Sequence, residues 1–100
     1  MMKPNLHPLL NPKLIAIIGV SNDPSRIGGR IFRYLRNHGY EGDIFPVNPK
    51  YKEIDGIKCY PDIASIPSEI DVALIAVPEQ SVLSVVEEAG KAGALSISYT

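Results

Sequence analysis

Residues 14–19 read LIAIIG, an unbroken apolar run of mostly isoleucine that a glycine closes. A strand buried on both faces of a parallel sheet has such a continuous apolar run, whereas a half-exposed strand alternates apolar and polar residues. We therefore predict a central strand over 14–18. A second run of this kind, DVALIAV over residues 71–77, predicts another fully buried strand.

Two segments carry the spacing of an amphipathic helix. Ile27, Ile31 and Leu35 recur every four residues and a glycine follows, which predicts a helix over about 28–38. After Pro78, valines at 82, 85 and 86 form an apolar stripe, and glycines at 90 and 93 end the pattern. This pattern predicts a second helix that begins at the proline.

Shorter strands are predicted over 43–47, 56–60 and 94–98, and Asp62 is placed to cap a turn of helix over 62–65. Strands that alternate with helices over short connections indicate right-handed βαβ units. The predicted fold is α/β: a Rossmann-like parallel sheet of four to five strands with helices on both faces. With the strands numbered along the chain, the expected order is 3-2-1-4-5.

The domain boundaries follow from the same pattern. Residues 1–13 contain three prolines and form an N-terminal arm, and residues 14–100 form the domain. No helix follows the last predicted strand to cover its side of the sheet, so we expect a domain truncated at its C-terminus. An open strand edge invites pairing with another chain, and a homodimer is one expected outcome.

Composition excludes several classes of function. The formal net charge of -1 offers no general field for nucleic acid or an anionic membrane. Cys59 is the only cysteine, so we expect neither a disulfide nor a metal centre. The sequence has no apolar run long enough for a signal peptide or a membrane span, and we expect a cytoplasmic protein.

A ligand site is expected where the strand order reverses, outside the carboxyl ends of the first and fourth strands. The loop over 19–29 begins with Gly19 and ends with Gly28 and Gly29. Such glycines permit a tight turn and a close approach of backbone, and amides at a helix N-terminus favour phosphate oxygens. Ser21 and Arg26 add side-chain donors. Alternatively, the glycines only allow the helix to pack closely on the strand.

The loop does not fit a simple NAD site, because Ser21 stands where the fingerprint Gly-x-Gly-x-x-Gly has its second glycine. After the second strand an NAD domain carries an acidic residue for the ribose, whereas residues 45–50 read FPVNPK. Lys50 suits a phosphorylated ribose, which both coenzyme A and NADP possess. The alternative for Lys50 is an ordinary surface lysine.

Val77 and Pro78 follow the fourth strand. They would offer a rigid apolar edge to an adenine or a pantetheine chain. The alternative is that Pro78 only begins the helix. Cys59 and His38 are expected to be unreactive, the first because it lies on a predicted edge strand with no base near it in sequence, and the second because it is a partner of the helix dipole.

The stretches NPKLIAIIGVS (11–21), RIGG (26–29), FPVNPK (45–50) and DVALIAVP (71–78) together resemble the N-terminal CoA-binding domain of the NDP-forming acyl-CoA synthetases, relatives of the succinyl-CoA synthetase α subunit. The resemblance implies that the first loop holds CoA phosphates and that the lysine approaches the ribose phosphate. It also implies that the end of the last strand borders the cofactor. The cofactor-binding roles fall on Gly19, Ser21, Arg26, Gly28, Gly29, Asn48, Pro49, Lys50, Val77, Pro78 and Ser98.

After Ser98 the chain departs from the family, because Tyr99 and Thr100 stand in place of a small residue and a glycine. The family's phosphorylated histidine and its ATP-grasp portion lie in later domains. The resemblance therefore implies a CoA-binding module that catalyses nothing alone and works with the remaining synthetase domains or subunit. Two alternatives stay open: a free-standing CoA- or nucleotide-sensing protein, and a small NADP-dependent oxidoreductase. The cofactor loops lack the Tyr-Lys or His-Asp pair that the oxidoreductase would need.

Overall fold

Four parallel strands form the main sheet of the computed structural model, which describes residues 14–23, 26–38 and 42–98. The four strands of the main sheet are β1 (Leu14–Ile18), β2 (Asp43–Val47), β5 (Val72–Ile75) and β6 (Leu95–Ser98). Two short strands, β3 (Glu53–Ile54) and β4 (Ile57–Lys58), form a separate hairpin. The helices are α1 (Ile27–Asn37) and α2 (Glu79–Lys91), with a 3-10 turn over Ile63–Ser65. The predicted N-terminal arm over 1–13 lies outside the described residues. None of the helices described is long and apolar enough to cross a membrane.

The main sheet has the order β2-β1-β5-β6. Ile15 of β1 pairs with Ile44 on one side and with Val72 on the other, and every pairing in this sheet is parallel. The order reverses between β1 and β5, so the carboxyl ends of these two strands flank the ligand crevice expected of such a sheet. The predicted α/β fold and the predicted order of these four strands are confirmed.

The segment predicted as an edge strand over 56–60 pairs differently. Its residues Ile57 and Lys58 form an antiparallel hairpin with β3, and a single parallel bridge from Tyr60 to Val47 connects this region to β2. Asp55 and Gly56 make the turn with φ angles of 51° and 79°. Asp-Gly with both residues at positive φ favours a two-residue hairpin turn, and this local preference prevails over extension of the main sheet.

Helices cover both faces of the sheet. On one face, Phe32 of α1 is fully buried in a cluster with Ile15 and Ile17. On the other face, Ala89 of α2 packs in a cluster with Ile18 and with Ile63 of the 3-10 turn. Full burial of a large apolar side chain stabilises a fold by roughly 1.5–3 kcal/mol, so these two clusters hold the helices in place. Because α1 follows β1 and α2 follows β5 along the chain, both helix N-termini lie near the carboxyl ends of the strands.

The last strand, β6, is the exposed edge of the sheet. All four of its residues are exposed, including Leu95 and Ile97, which pair with Val72 and Leu74 of β5. Strand alternation therefore places Leu95 and Ile97 on the α1 face, while the cluster around α1 lies over β1 and β2. The edge is open as expected, and pairing with another chain stays a prediction.

Candidate functional site

Loops that follow β1, β2 and β5 converge on a cleft of about 1000 Å³ at the carboxyl ends of the strands. Eight of the eleven residues predicted for the site line it: Gly19, Ser21, Arg26, Asn48, Pro49, Lys50, Val77 and Pro78. Gly28, Gly29 and Ser98 do not line this cleft. The fold thus brings together most of a set that is scattered over sixty residues of sequence.

Gly19 is the point at which the three loops meet. Its φ of 102° lies in the region that favours glycine, and a Cβ there would overlap the carbonyl oxygen of Ala76. Its amide donates to the carbonyl oxygen of Val47 over 2.9 Å, and the Ala76 amide donates to that of Ile18 over 2.8 Å. The tight turn expected at this position is therefore required by both conformation and space.

Gly28 and Gly29 are buried in the first turn of α1. A Cβ at Gly28 would lie 2.5 Å from the carbonyl oxygen of Gly19, and a Cβ at Gly29 would lie 2.5 Å from that of Ser21. The helix therefore packs directly against the loop backbone. Close packing is the role that the alternative interpretation of the sequence gave to these glycines. Contact of either residue with a ligand stays a prediction.

The side chain of Asn48 connects two loops. Its Nδ2 donates to the carbonyl oxygen of Val20 over 2.9 Å, and its Oδ1 accepts from the Lys50 amide over 2.9 Å. The Asn48 amide also donates to the carbonyl oxygen of Tyr60 over 2.8 Å. Because both polar ends of the side chain bind backbone, Asn48 shapes the cleft and places Lys50 at its edge.

One side of the cleft favours anions. Arg26 precedes α1 and Lys50 lies beyond β2; both side chains are exposed, and neither has an ion-pair partner among the residues that the structure describes. The first turn of α1 has no acidic residue to compensate its dipole. Ser21 Oγ accepts from the Asp23 amide over 3.0 Å and lies 3.4 Å from the hydroxyl of Tyr51. Two cations and a helix N-terminus therefore face one crevice.

The opposite side of the cleft is apolar and acidic. Pro61, Ile63 and Val85 line it together with Asp62, Ser81 and Glu88. Asp62 Oδ1 accepts from the Ser65 amide over 2.9 Å, which confirms the predicted cap. The sequence interpretation missed this wall, although Ser81, Val85 and Glu88 repeat at helical spacing on α2 and could have indicated one helix face. It also missed Tyr51, which directly follows the FPVNPK stretch.

The remaining reactive residues lie outside the cleft. Cys59 is buried, and its thiol donates to the carbonyl oxygen of Asn48 over 3.5 Å. Burial raises the pKa of the Cys59 thiol above its ordinary value, so the unreactive protonated form prevails at neutral pH. His38 contacts the Tyr34 carbonyl at the end of α1 through Nδ1 over 2.9 Å. The described part of the chain holds no group of three or more His, Cys, Asp or Glu residues suited to a metal ion.

A parallel sheet with a glycine loop, a helix N-terminus and cations at its switch point defines a Rossmann-type domain, the class of fold that holds nucleotide phosphates in this crevice. The family model described as a CoA binding domain matches residues 13–98. The chain therefore belongs to this family of CoA-binding domains. The resemblance that the four sequence stretches indicated is confirmed.

Relatives with curated functions are much longer than this chain. The alpha subunit of the ADP-forming acetate–CoA ligase I of Pyrococcus furiosus is 44% identical over 93 residues, which span 89% of this chain and 20% of the subunit. The solved structure of Ca. Korarchaeum cryptofilum dinucleotide-forming acetyl-coenzyme A synthetase 1, in complex with phosphate and ADP, matches with a TM-score of 0.86 and 46% identity. That match covers 90% of this chain and 19% of the synthetase chain. The chain thus spans about a fifth of these relatives.

A third relative is closer in size. The structure of a conserved hypothetical protein from Pyrococcus furiosus matches with a TM-score of 0.74 and 35% identity. The match covers 85% of this chain and 74% of that protein. Domains of this kind therefore occur both within long ligases and in a short protein.

Proposed function

We propose that this chain binds coenzyme A in the cleft and serves as the CoA-binding module of an NDP-forming acid–CoA ligase of the acetate–CoA ligase type. The observation that carries the proposal is the position of Arg26, Lys50 and the α1 N-terminus around one cleft in a domain of the CoA-binding family. The remaining ligase domains, or a separate subunit, would be its partners and would carry out the chemistry. We propose that the chain binds coenzyme A in the cytoplasm.

The anionic groups of CoA are assigned to the cationic side. The diphosphate lies against the loop after β1, where the α1 N-terminus, the Ser21 hydroxyl and the Arg26 guanidinium supply hydrogen-bond donors. The ribose 3'-phosphate lies against the Lys50 ammonium. Coulomb attraction at an exposed site is modest and falls with salt, so the helix N-terminus and the loop amides fix the geometry.

The apolar groups of CoA are assigned to the other walls. Val77 and Pro78 at the end of β5, with Ile63 and Val85 opposite, offer the carbon surface that adenine and pantetheine need. Glu88 and Asp62 near this wall disfavour the binding of CoA phosphates there, because carboxylates repel anions. The charge distribution of the cleft therefore favours an orientation in which the phosphates lie on the side of Arg26 and Lys50.

The chain alone is not expected to form acyl-CoA. Acyl transfer needs a nucleophile, a base and an activated acyl donor at the thiol of CoA. His38, the one histidine in the parts of the chain that the structure describes, stays bonded to the end of α1, and Cys59 is buried. Incubation of the purified chain with acetate, ATP and CoA should give no acetyl-CoA, and turnover that survives removal of contaminating synthetase would contradict the proposal.

A second candidate is a free-standing CoA-binding protein. The short Pyrococcus furiosus protein favours it, because this chain covers 74% of that protein. The two candidates differ in the partner. An adjacent reading frame that encodes the remaining ligase domains, and whose product forms a complex with this chain in gel filtration, would decide for the ligase module.

A ligand panel tests CoA binding directly. Calorimetry and thermal shift with CoA, dephospho-CoA, NAD and NADP should give the tightest binding and the largest rise in Tm for CoA. Dephospho-CoA should follow, since it lacks only the 3'-phosphate. Tighter binding of NADP or NAD than of CoA would overturn the proposal and would favour an oxidoreductase.

A further inference from the structure

Arg33 lies on α1 outside the cleft and joins two other parts of the fold. Its Nε donates to Asp55 Oδ2 over 3.0 Å, and its Nη2 donates to the carbonyl oxygen of Ser21 over 3.4 Å. Asp55 belongs to the turn between β3 and β4, and Ser21 belongs to the cleft loop. One guanidinium thus bridges the hairpin and the backbone of the loop assigned to phosphate.

Gly29 provides the room for this bridge. A Cβ on Gly29 would lie 2.9 Å from Arg33 Nη1 and 2.5 Å from the carbonyl oxygen of Ser21. The guanidinium therefore packs against the glycine, directly behind the loop. Because its planar fork donates in fixed directions, it can bond the hairpin and the loop at once, whereas a lysine ammonium is a single point of charge.

The position of the Arg33 guanidinium costs free energy of folding, which packing alone does not account for. Arg33 Nη1 is buried and has no hydrogen-bond partner among the described residues. A buried unpaired donor is unfavourable, and the partly exposed ion pair with Asp55 adds little stability in water. A shorter polar side chain would avoid the cost. What the guanidinium supplies instead is the hydrogen bond of 3.4 Å to the Ser21 carbonyl oxygen.

We propose that Arg33 is a positioning residue for the ligand, anchored by Asp55, that holds the Ser21 carbonyl so that the loop presents its donors to the phosphate. This proposal rests on the proposed function and adds the hairpin to the site. Asp55 has a φ of 51° in a two-residue turn, and this turn places its carboxylate beside the Arg33 guanidinium. Arg33 touches no ligand and acts through Ser21.

The test compares Arg33→Gln with Arg30→Gln, an exposed arginine on the same helix. Dissociation constants of CoA and dephospho-CoA are measured by calorimetry at a temperature at which circular dichroism shows every variant folded. Loss of one positioning hydrogen bond should weaken both ligands about fivefold in the Arg33 variant. Hydrogen exchange of the Ser21 and Asp23 amides in the ligand-free chain should accelerate, while exchange at Ile17 stays unchanged. A merely structural role would not confine faster exchange to the loop.

Arg33→Lys is the second variant and covers a failure of the first to fold. Its ammonium keeps the charge, but it cannot reach Asp55 and Ser21 together, so loop exchange should still accelerate. Native affinity with unchanged loop exchange in both variants would overturn the proposal, as would an equal loss of affinity in Arg30→Gln. If the native chain binds no CoA, the proposed function fails, and the loop exchange alone decides the role of Arg33.

Discussion

Asn48 donates a hydrogen bond of 2.9 Å to the carbonyl oxygen of Val20, and this bond joins the loop after β2 to the loop after β1. The same side chain accepts from the Lys50 amide. The lysine and the glycine loop therefore depend on one residue that uses both polar ends on backbone. Such a residue is expected to matter for the fold as much as for the ligand.

Asn48→Ala should destabilise the chain by roughly 1–3 kcal/mol, because it leaves the part-buried carbonyl oxygen of Val20 without its Asn48 donor. It should also weaken CoA binding, since the loops lose their connection. Urea denaturation measures the first effect and calorimetry the second. The matched control is Asn37→Ala at the exposed end of α1, which should change stability by no more than about 0.5 kcal/mol. Equal effects of the two substitutions would contradict this account of Asn48.

Gly28→Ala and Gly29→Ala should each cost roughly 1–3 kcal/mol, because the added methyl group meets a carbonyl oxygen at 2.5 Å. The chain contains its own control. Gly90 lies inside α2 with nothing within 4 Å of a built Cβ, so Gly90→Ala should raise stability by about 0.5–1 kcal/mol through helix propensity. Thermal and urea denaturation of the three variants give the signs, and a stabilised Gly28→Ala would refute the close contact of helix and loop.

Lys50→Ala should weaken CoA binding about tenfold to a hundredfold if the ammonium pairs with the 3'-phosphate. Affinity for dephospho-CoA should hardly change. Because misfolding would weaken both ligands alike, the ratio of the two isolates the phosphate contact. Lys52→Ala, an exposed lysine outside the cleft, is the control. Added salt should weaken CoA more than dephospho-CoA in the native chain. Equal losses for both ligands would make Lys50 an ordinary surface lysine.

Stability should fall at alkaline pH in a way that depends on Cys59. Burial raises the pKa of this thiol in the folded state above its unfolded value, so the folded chain holds the proton over the interval between them. Stability from this group is complete below about pH 8.5, the ordinary thiol value, and is lost as pH rises through the folded value. Urea denaturation at pH 7.5 and pH 10 should show a smaller decrease for Cys59→Ala than for the native chain. An identical decrease would exclude the contribution.

The sequence predicted the sheet well because its central strands are apolar runs. β1 and β5 are buried on both faces, and residues 14–18 and 71–77 are short apolar runs rich in β-branched residues that Gly19 and Pro78 close, which favours strands over helices. The hairpin was missed, since two-residue strands are too short for any periodicity. Its evidence in the sequence is the pair Asp55-Gly56, a turn signal of the kind that marks a hairpin.

The position of the site could be predicted from the sequence. Which residues face the cleft and which hold its loops together could not. Loop glycines and Lys50 indicate a phosphate site from local patterns. The bond from Asn48 to Val20 joins residues 28 apart, and that from Arg33 to Asp55 joins residues 22 apart. No local pattern reports such pairs, because they depend on how β2 and the hairpin lie against the first loop. For the same reason the sequence left open whether Gly28 and Gly29 serve the ligand or the packing.

The close approach of Gly19 to Ala76 has a consequence for how a ligand would be received. Backbone hydrogen bonds from Gly19 to Val47 and from Ala76 to Ile18 hold the three loops together before anything binds. A cleft built in this way is preorganised, so its loops lose little conformational entropy when a ligand binds. Most of the entropic cost then falls on the ligand, whose flexible arm would have to straighten on binding.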